Sequence, residues 1–204
     1  MSDVIRVMIA EDQAMVRGAL ATLLELENDI SVVAQVARGD EVVPVALAAN
    51  PDVALLDIEM PGRTGLEAAE ELRVALRSCP VLILTTFGRP GCLRRAMEGG
   101  AAGFMLKDTP ASELAGAIRR AMAGERVVDP GLAAAALSQG ESPLTPREHE
   151  VLTESRRHAT VAELAAALYL SPGTVRNHLS SVMHKLDARN RAEAVRVAED
   201  RGWL

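Results

Sequence analysis

The sequence predicts an α/β domain of five strand–helix repeats followed by a separate all-helical domain. In the first 124 residues, short apolar runs alternate with segments in which apolar residues recur every three or four positions. From about residue 144 onward only the helical spacing remains. The net charge of −6 belongs to the part before Glu141, because the residues from there to the end carry nine basic and nine acidic side chains.

The first domain is predicted to be a doubly wound, five-stranded parallel sheet. Apolar runs that alternate with helices are typical of strands covered on both faces. The predicted strands are residues 4–10, 30–36, 52–57, 81–85 and 102–106. The predicted helices are one that follows Asp12 as its N-cap, then 40–49, 66–76, 93–98 and 110–123. The carboxyl ends of parallel strands lie along one edge, where such sheets bind their ligands.

Residues 125–143 are predicted to link this first domain, residues 1–124, to a second domain at 144–204. The linker contains a possible short helix at 130–137. It ends in a polar segment at 138–143 that is rich in helix breakers. These features indicate a connection between two domains, and they leave open whether the linker is flexible or docked.

The second domain is predicted to contain four helices. Two short ones cross through a tight turn at 169–171, which predicts a helix-turn-helix with its reading helix at 172–186. A last helix is predicted at 191–200. The first three helices each begin with a residue that commonly caps a helix: Thr145, Thr160 and Ser171.

Composition excludes several classes of protein. The two cysteines, Cys79 and Cys92, have no metal-ligand spacing and fit a reducing compartment. The chain starts without a secretory signal pattern, and no apolar run approaches the roughly 18 residues that a membrane span requires. We therefore expect a cytoplasmic protein with no direct membrane association.

Polar residues stand at four of the predicted strand ends, so they are expected to converge. Three carboxylates in one place repel each other unless a cation joins them, and hard oxygen ligands suit Mg²⁺. A carboxylate can also accept a phosphoryl group as an acyl phosphate, whose oxygens a lysine and a hydroxyl could bind. The five residues are Glu11, Asp12, Asp57, Thr85 and Lys107.

This pattern resembles the receiver domain of bacterial two-component response regulators, which has a flavodoxin-like fold. The resemblance covers about residues 3–124. Its motifs are Glu11-Asp12, Asp57 with Met60-Pro61-Gly62, Thr85-Thr86, and Lys107 at the end of Gly103-Phe-Met-Leu-Lys107.

The resemblance implies a role for each site residue. Asp57 would accept a phosphoryl group from a cognate sensor histidine kinase. Thr85, Thr86 and Lys107 would bind or respond to the phosphate, and Phe104 would follow Thr85 inward, although this position is commonly tyrosine in the family. Mg²⁺ would be held by Glu11, Asp12, Asp57 and the backbone carbonyl of Glu59.

The predicted reading helix carries polar residues that suit double-stranded DNA. Arg176 fits guanine and Asn177 fits adenine in the major groove, and Ser180 and His184 lie away from the apolar side of the helix. Between Arg176 and Arg191 four basic residues face one acidic residue. The residues expected to hold phosphates are Thr174, Lys185, Arg189 and Arg191.

The second domain resembles the LuxR-type DNA-binding domain, and the whole chain is similar to the NarL/FixJ class of response regulators, with a similarity to DesR-type regulators. That class implies that phosphorylation promotes homodimerisation and binding to promoters. One departure is Arg156-Arg-His-Ala159, where family members usually have a glycine. The LuxR-type motifs are Leu144–Glu148, Val151-Leu152, Glu163–Ala165, Ser171–His178 and Lys185-Leu186. The DesR-type motifs are Asp57–Gly62, Leu84–Phe87, Arg89–Gly91 and Gly202-Trp203.

Two other functions remain open from the residues. An aspartyl-phosphate phosphohydrolase also uses an aspartate on a parallel strand, but such enzymes typically have a second aspartate where this chain has Glu59. A phosphorylation-independent DNA-binding regulator is the other alternative. We expect no enzyme activity beyond Mg²⁺-dependent self-phosphorylation and self-dephosphorylation at Asp57.

Overall fold

The computed structural model describes residues 4–86, 90–138 and 142–204. They divide into two compact units: residues 4–86 with 93–133 form the first, and residues 90–92 with 134–204 form the second. Residues 87–89 of the DesR-type motifs and residues 139–141 of the predicted hinge lie outside the described residues.

The first unit contains a parallel sheet of six strands in the order β2-β1-β3-β4-β5-β6. This order, which reverses direction between β1 and β3, confirms the predicted doubly wound fold class. The strands are β1 (Ile5–Ala10), β2 (Ile30–Val36), β3 (Val53–Asp57), β4 (Val81–Thr85), β5 (Gly103–Leu106) and β6 (Val127–Val128).

Five helices connect these strands. A short 3-10 turn at Gly39–Glu41 occupies the start of the segment predicted as the second helix. Asp12 is not the cap of the first helix, because Gln13 takes that position without a side-chain hydrogen bond. The Asp12 carboxylate instead lies near those of Glu11 and Asp57. The helices are α1 (Ala14–Leu24), α2 (Val42–Ala49), α3 (Gly65–Ala75), α4 (Pro90–Glu98) and α5 (Ala111–Met122).

The sixth strand is one more than the sequence predicts. Val127 and Val128 lie in the predicted linker, and they pair with Gly103 and Phe104 of β5. Two residues are too few to produce a recognisable period, so this strand depends on a neighbour that the local sequence does not reveal. The short helix predicted after it is present as α6 (Pro130–Ser138).

The centre of the sheet positions the candidate site. All five residues of β3 are buried, including its last residue, Asp57. Side chains such as Val7, Leu55 and Leu82 pack with Ile118 of α5 in one apolar cluster. Because β3 pairs with β1 on one side and β4 on the other, its carboxyl end is held from both directions.

Among the residues that the structure describes, the second unit contains four complete helices. The predicted caps are confirmed, since the side chains of Thr145, Thr160 and Ser171 each accept a hydrogen bond from a backbone N–H three residues on. Within the described part of the chain no helix is long and apolar enough to cross a membrane. The helices are α7 (Pro146–Glu154), α8 (Val161–Ala167), α9 (Pro172–Lys185) and α10 (Arg191–Asp200).

Gly65, the first residue of α3, lies against the end of β3. Its N–H donates to the carbonyl of Ile58 at 2.9 Å. A Cβ at this position would lie 1.8 Å from the carbonyl oxygen of Asp57 and 2.8 Å from its carbonyl carbon. Both contacts are with backbone, so a larger residue can be accommodated only if α3 or the strand carrying Asp57 shifts.

We therefore predict that Gly65→Ala lowers the free energy of unfolding of the first unit by about 2 kcal/mol, as overpacking does in well-packed sites. Urea denaturation followed by far-UV circular dichroism measures this, with Trp203 fluorescence reporting the second unit separately. The control is Gly18→Ala in α1, where a Cβ meets no heavy atom within 4 Å. It should stabilise the unit by about 0.5–1 kcal/mol. Equal stabilities of Gly65→Ala and the wild type would contradict the close approach.

Candidate functional site

Three carboxylates meet at the carboxyl edge of the sheet. Glu11 and Asp12 follow β1, and Asp57 ends the neighbouring β3. One oxygen from each of the three carboxylates lies within 4.8 Å of the others. Glu11 and Asp57 are buried, whereas Asp12 is exposed. Two of the three carboxylates are therefore shielded from water, and the side of the cluster formed by Asp12 is open to it.

Lys107 places an ammonium group against two of these carboxylates, and it comes from a different strand. Lys107 follows β5, and its backbone N–H donates to the carbonyl of Thr85 at 2.9 Å. Its Nζ lies 2.6 Å from Glu11 Oε2 and 3.0 Å from Asp57 Oδ1, and the side chain is only 9% exposed. One ammonium thus bridges the ends of β1 and β3.

Burial and charge act in opposite directions on these groups. Burial raises the pKa of Asp57 and of Glu11, although the contact with Lys107 partly opposes this. Burial lowers the pKa of Lys107, but its contacts with both carboxylates outweigh this and leave that pKa above its ordinary value. Lys107 therefore stays charged, and a single positive charge faces three carboxylates.

The donor set fits Mg²⁺. Three carboxylate oxygens are available, and the exposed Asp12 leaves one side on which water can complete an octahedral shell. The excess of negative charge that Lys107 leaves uncompensated also favours a divalent cation. Glu59 lies two residues after Asp57 and is exposed, so its backbone carbonyl as a further ligand stays a prediction.

The proposed switch residues lie on the two strands next to β3. Thr85 is the buried last residue of β4, Thr86 is exposed, and the register pairs Thr85 with Leu106, just before Lys107. Phe104 in β5 is fully buried. The structure therefore brings Thr85 and Lys107 to adjoining strand ends, and movement of Thr85 and Phe104 stays a prediction.

Comparison with known families agrees with this geometry. Residues 7–119 match the family model for the response regulator receiver domain. Residues 142–198 match the model for the bacterial regulatory proteins of the luxR family. The chain belongs to the response regulators with a LuxR-type DNA-binding domain. It is thus a member of a family of transcription regulators.

Similar proteins support the same assignment over the full length. The response regulator is 46% identical over 200 residues to the transcriptional regulatory protein DesR of Bacillus subtilis (strain 168), which covers 98% of this chain and 99% of the relative. An uncharacterized transcriptional regulatory protein of the same strain, YvfU, is also 46% identical over 200 residues, covering 98% of this chain and 100% of the relative. The crystal structure of the response regulator ChrA of a heme-sensing two-component system matches with a TM-score of 0.60 and 33% identity, covering 100% of both chains.

The reading helix α9 of this response regulator divides into a buried and an exposed side. Val175, Leu179 and Val182 are buried, and Val175 and Leu179 pack with residues of α7 and α8. The four residues predicted to face the bases are exposed: Arg176, Asn177, Ser180 and His184. Since these positions lie within about 100° around the helix, they form one continuous polar face.

The four residues predicted to hold phosphates differ in whether their side chains already contact other groups of the protein. Arg189 is exposed, and the hydroxyl of Thr174 lies 2.8 Å from that of Ser171. The Arg191 guanidinium donates to the carbonyls of His158 and Ala159 at 3.0 and 2.9 Å. Arg191 thus closes the turn where the family usually has glycine, an internal role that the sequence does not reveal.

The fourth of these residues, Lys185, belongs to an interaction that sequence reasoning missed. Its Nζ lies 2.6 Å from Glu148 Oε2, and the hydroxyl of Ser181 donates to Glu148 Oε1 at 2.6 Å. Glu148 is only 4% exposed and also accepts the N–H of Thr145 at 2.7 Å. Thr145 and Glu148 form a reciprocal capping box at the start of α7, but nothing in the local sequence indicates that the same carboxylate also binds the reading helix.

We predict that Lys107→Met destabilises the first unit by about 3 kcal/mol without divalent cations, because two buried carboxylates lose their counter-charge. Added Mg²⁺ should restore more stability to this variant than to the wild type, since the cation no longer competes with an ammonium. Thermal denaturation with EDTA and with MgCl₂ measures both effects. An equal response of both proteins to Mg²⁺ would contradict the shared site. Arg120→Met, which removes an exposed ion pair with Glu125, is the control.

We also predict that Glu148→Gln lowers the stability of the second unit by about 2 kcal/mol at pH 7, the range for hydrogen bonds to charged groups. Burial would raise the pKa of Glu148, but Lys185, Ser181 and Thr145 lower it from 4.5 to about 2. Because the folded-state pKa is depressed, the stabilisation is complete above about pH 4.5 and is lost as the pH falls toward 2.

Urea denaturation followed by Trp203 fluorescence between pH 2 and pH 7 measures this difference. The control is Glu150→Gln on the same helix, which removes an exposed pair with Arg147 and should change stability by less than about 1 kcal/mol. A difference between Glu148→Gln and the wild type that persists unchanged at pH 2 would show that the charge of Glu148 is not responsible.

Proposed function

We propose that this response regulator is switched by phosphorylation of Asp57 by a sensor histidine kinase. Phosphorylation promotes dimerisation and binding to promoter DNA, and so controls transcription. The observation that carries the proposal is the position of Asp57: it ends the central strand β3, lies 3.0 Å from the Lys107 ammonium and is within reach of two more carboxylates. The same chain presents an exposed reading helix.

Each site residue has a defined part in the phosphoryl transfer. A carboxylate oxygen of Asp57 attacks phosphorus, and the bond between phosphorus and the histidine nitrogen of the kinase breaks. Lys107 exchanges its contact with Asp57 for one with a phosphoryl oxygen, while the Thr85 hydroxyl donates to another. Mg²⁺, held by Glu11, Asp12, Asp57 and the Glu59 carbonyl, would supply positive charge against the phosphoryl oxygens.

The acyl phosphate is also the limit of the chemistry that we assign to the chain. A small phosphodonor can replace the kinase in the same transfer, and water can later attack the phosphorus and release inorganic phosphate. Both reactions are confined to Asp57 and depend on the same Mg²⁺ site. Together the two reactions would hydrolyse the phosphodonor only through the acyl phosphate at Asp57, which is compatible with a family of transcription regulators.

The linker offers a direct route from the switch residues. The proposed domains are a receiver at 1–124, a linker at 125–143 and a DNA-binding domain at 144–204. β6, at the start of this linker, pairs with β5, and the N–H of Asp129 donates to the carbonyl of Phe104 at 3.3 Å. A rearrangement of Phe104 would therefore reach the linker through backbone hydrogen bonds.

Dimerisation follows from the size of the reading surface. A single short helix offers few base contacts, and a second copy on an adjacent half-site raises the effective concentration of the first. The helices α1, α4 and α5 are the candidate surfaces. Among them α1 and the residue after its C-cap expose large apolar side chains, with Met15 85% and Leu26 74% exposed. Such side chains favour contact with a second copy.

We predict that beryllofluoride with Mg²⁺, which mimics an acyl phosphate, shifts the wild type from monomer to dimer and leaves Asp57→Asn unchanged. Sedimentation velocity measures the shift. Fluorescence anisotropy with a duplex enriched from a random pool should show at least about ten-fold tighter binding by the activated wild type alone, since bivalent binding gains this much or more. Glu70→Gln removes an exposed carboxylate of α3 and should behave like the wild type.

Other outcomes distinguish the alternatives. A shift of Asp57→Asn to dimer would mean that Asp57 is not the switch. Equal oligomeric state and equal DNA affinity in all conditions would favour a phosphorylation-independent regulator. Catalytic turnover of p-nitrophenyl phosphate would favour a phosphohydrolase.

A further inference from the structure

Tyr169 has a backbone conformation that tyrosine rarely adopts. It lies in the turn between α8 and α9 with φ +54°. In the described part of the chain two other non-glycine residues have positive φ, Asn50 and Asp187, and both belong to the types that tolerate this region. Tyr169 is 96% exposed, so burial of its ring does not offset the cost of this conformation. A strained position that gains no packing suggests a functional reason for the residue.

The turn itself does not require a tyrosine. The N–H of Tyr169 donates to the carbonyl of Ala166 at 3.3 Å, and that of Leu170 donates to Ala165 at 2.9 Å. Leu168 is buried, and its carbonyl accepts a hydrogen bond from Arg147 at 3.2 Å. These contacts involve the backbone of the turn or its neighbours. Asparagine or glycine would satisfy the same backbone at lower cost.

The position of Tyr169 places its ring at the DNA-facing end of the helix-turn-helix. It stands two residues before Ser171, which caps the reading helix. In this motif the N-terminal part of the reading helix enters the major groove, so the preceding turn lies beside the sugar–phosphate backbone. The helix-turn-helix presents no acidic side chain that would repel a phosphate, because residues 164–186 include no aspartate or glutamate. Arg147, which contacts the carbonyl of Leu168, is already paired with Glu150.

We propose that Tyr169 contacts DNA, with its hydroxyl donating a hydrogen bond to a phosphate oxygen beside the major groove. Tyrosine hydroxyls are among the groups that bind DNA phosphates, and such contacts position a protein without reading sequence. This inference rests on the proposed DNA-binding function and adds a residue to the phosphate contacts predicted from the sequence. A free aromatic ring could also meet another protein, such as RNA polymerase, which is the alternative that the test must separate.

The test uses two variants of the full chain. Tyr169→Phe removes only the hydroxyl, and Tyr169→Asn removes the ring at a backbone conformation that asparagine accepts. Fluorescence anisotropy measures binding to the duplex enriched by the wild type and to a mixed-sequence duplex. Tyr169→Phe should weaken binding to both duplexes by the same factor, about three- to ten-fold, and Tyr169→Asn by at least as much. The dependence of log affinity on log salt should not change, because no charge is lost.

Two controls make the result specific. Asn177→Ala, at a position predicted to read a base, should weaken binding to the enriched duplex and leave the mixed-sequence duplex unaffected. Denaturation followed by Trp203 fluorescence should find Tyr169→Asn at least as stable as the wild type, which rules out misfolding. The chain has a single tyrosine, so labelling with 3-fluorotyrosine gives one ¹⁹F signal. That signal should shift when the enriched duplex is added.

Three results would overturn the proposal. Wild-type affinity of both variants with an unmoved ¹⁹F signal would exclude a DNA contact. If these variants also lost transcription in a reconstituted assay, the ring would belong to a protein contact. An effect confined to the enriched duplex would assign Tyr169 to a base. A wild type that binds neither duplex would instead refute the proposed function itself.

Discussion

The contact of Lys107 with Glu11 and Asp57 is the interaction on which the first unit depends. Two buried carboxylates at neighbouring strand ends are unfavourable unless a cation faces them. Lys107 can supply it only because β5 ends at the same edge of the sheet, two strands away from β3. The close approach of Gly65 to the carbonyl of Asp57 fixes the other side of the site. The parallel sheet thus makes the ion pairs possible, because its strands bring residues that are distant in sequence to the same edge.

Glu148, a third buried carboxylate, shows how a structural contact differs from a candidate reaction site. Glu148 meets one ammonium, one hydroxyl and one backbone N–H, so its oxygens are satisfied and no charge remains. At the edge of the sheet three carboxylates share one ammonium, which leaves negative charge for a metal to neutralise. Both sites are buried, and they differ in whether the carboxylate charge is neutralised. A neutralised carboxylate stabilises the packing of two helices, whereas an excess of negative charge marks a candidate reaction site.

The sequence predicted the features that local chemistry determines. Strand ends, the caps at Thr145, Thr160 and Ser171, and the exposed face of α9 all follow from periodicity and from single residue types. Features that depend on a distant partner were missed. β6 needs β5 beside it, and the internal contacts of Lys185 and Arg191 need α7 and the turn before α8. Asp12 was wrongly assigned as a cap because a carboxylate before a helix has the same local signature whether it faces the helix or a cluster.

The departure from the family pattern at residues 156–159 illustrates how contacts with distant residues can keep the reading helix in place when a neighbouring turn changes. The resemblance to the LuxR-type domain implies a glycine in this turn, and its absence is expected to disturb the helix junction. The Arg191 guanidinium binds the carbonyls of His158 and Ala159, so this turn is held by a residue from outside it. The reading helix is fixed independently, through Glu148 and through the apolar contacts of Val175 and Leu179. Because the two sets of contacts share no side chain, the turn can change in sequence while the exposed face of α9 keeps its orientation on α7.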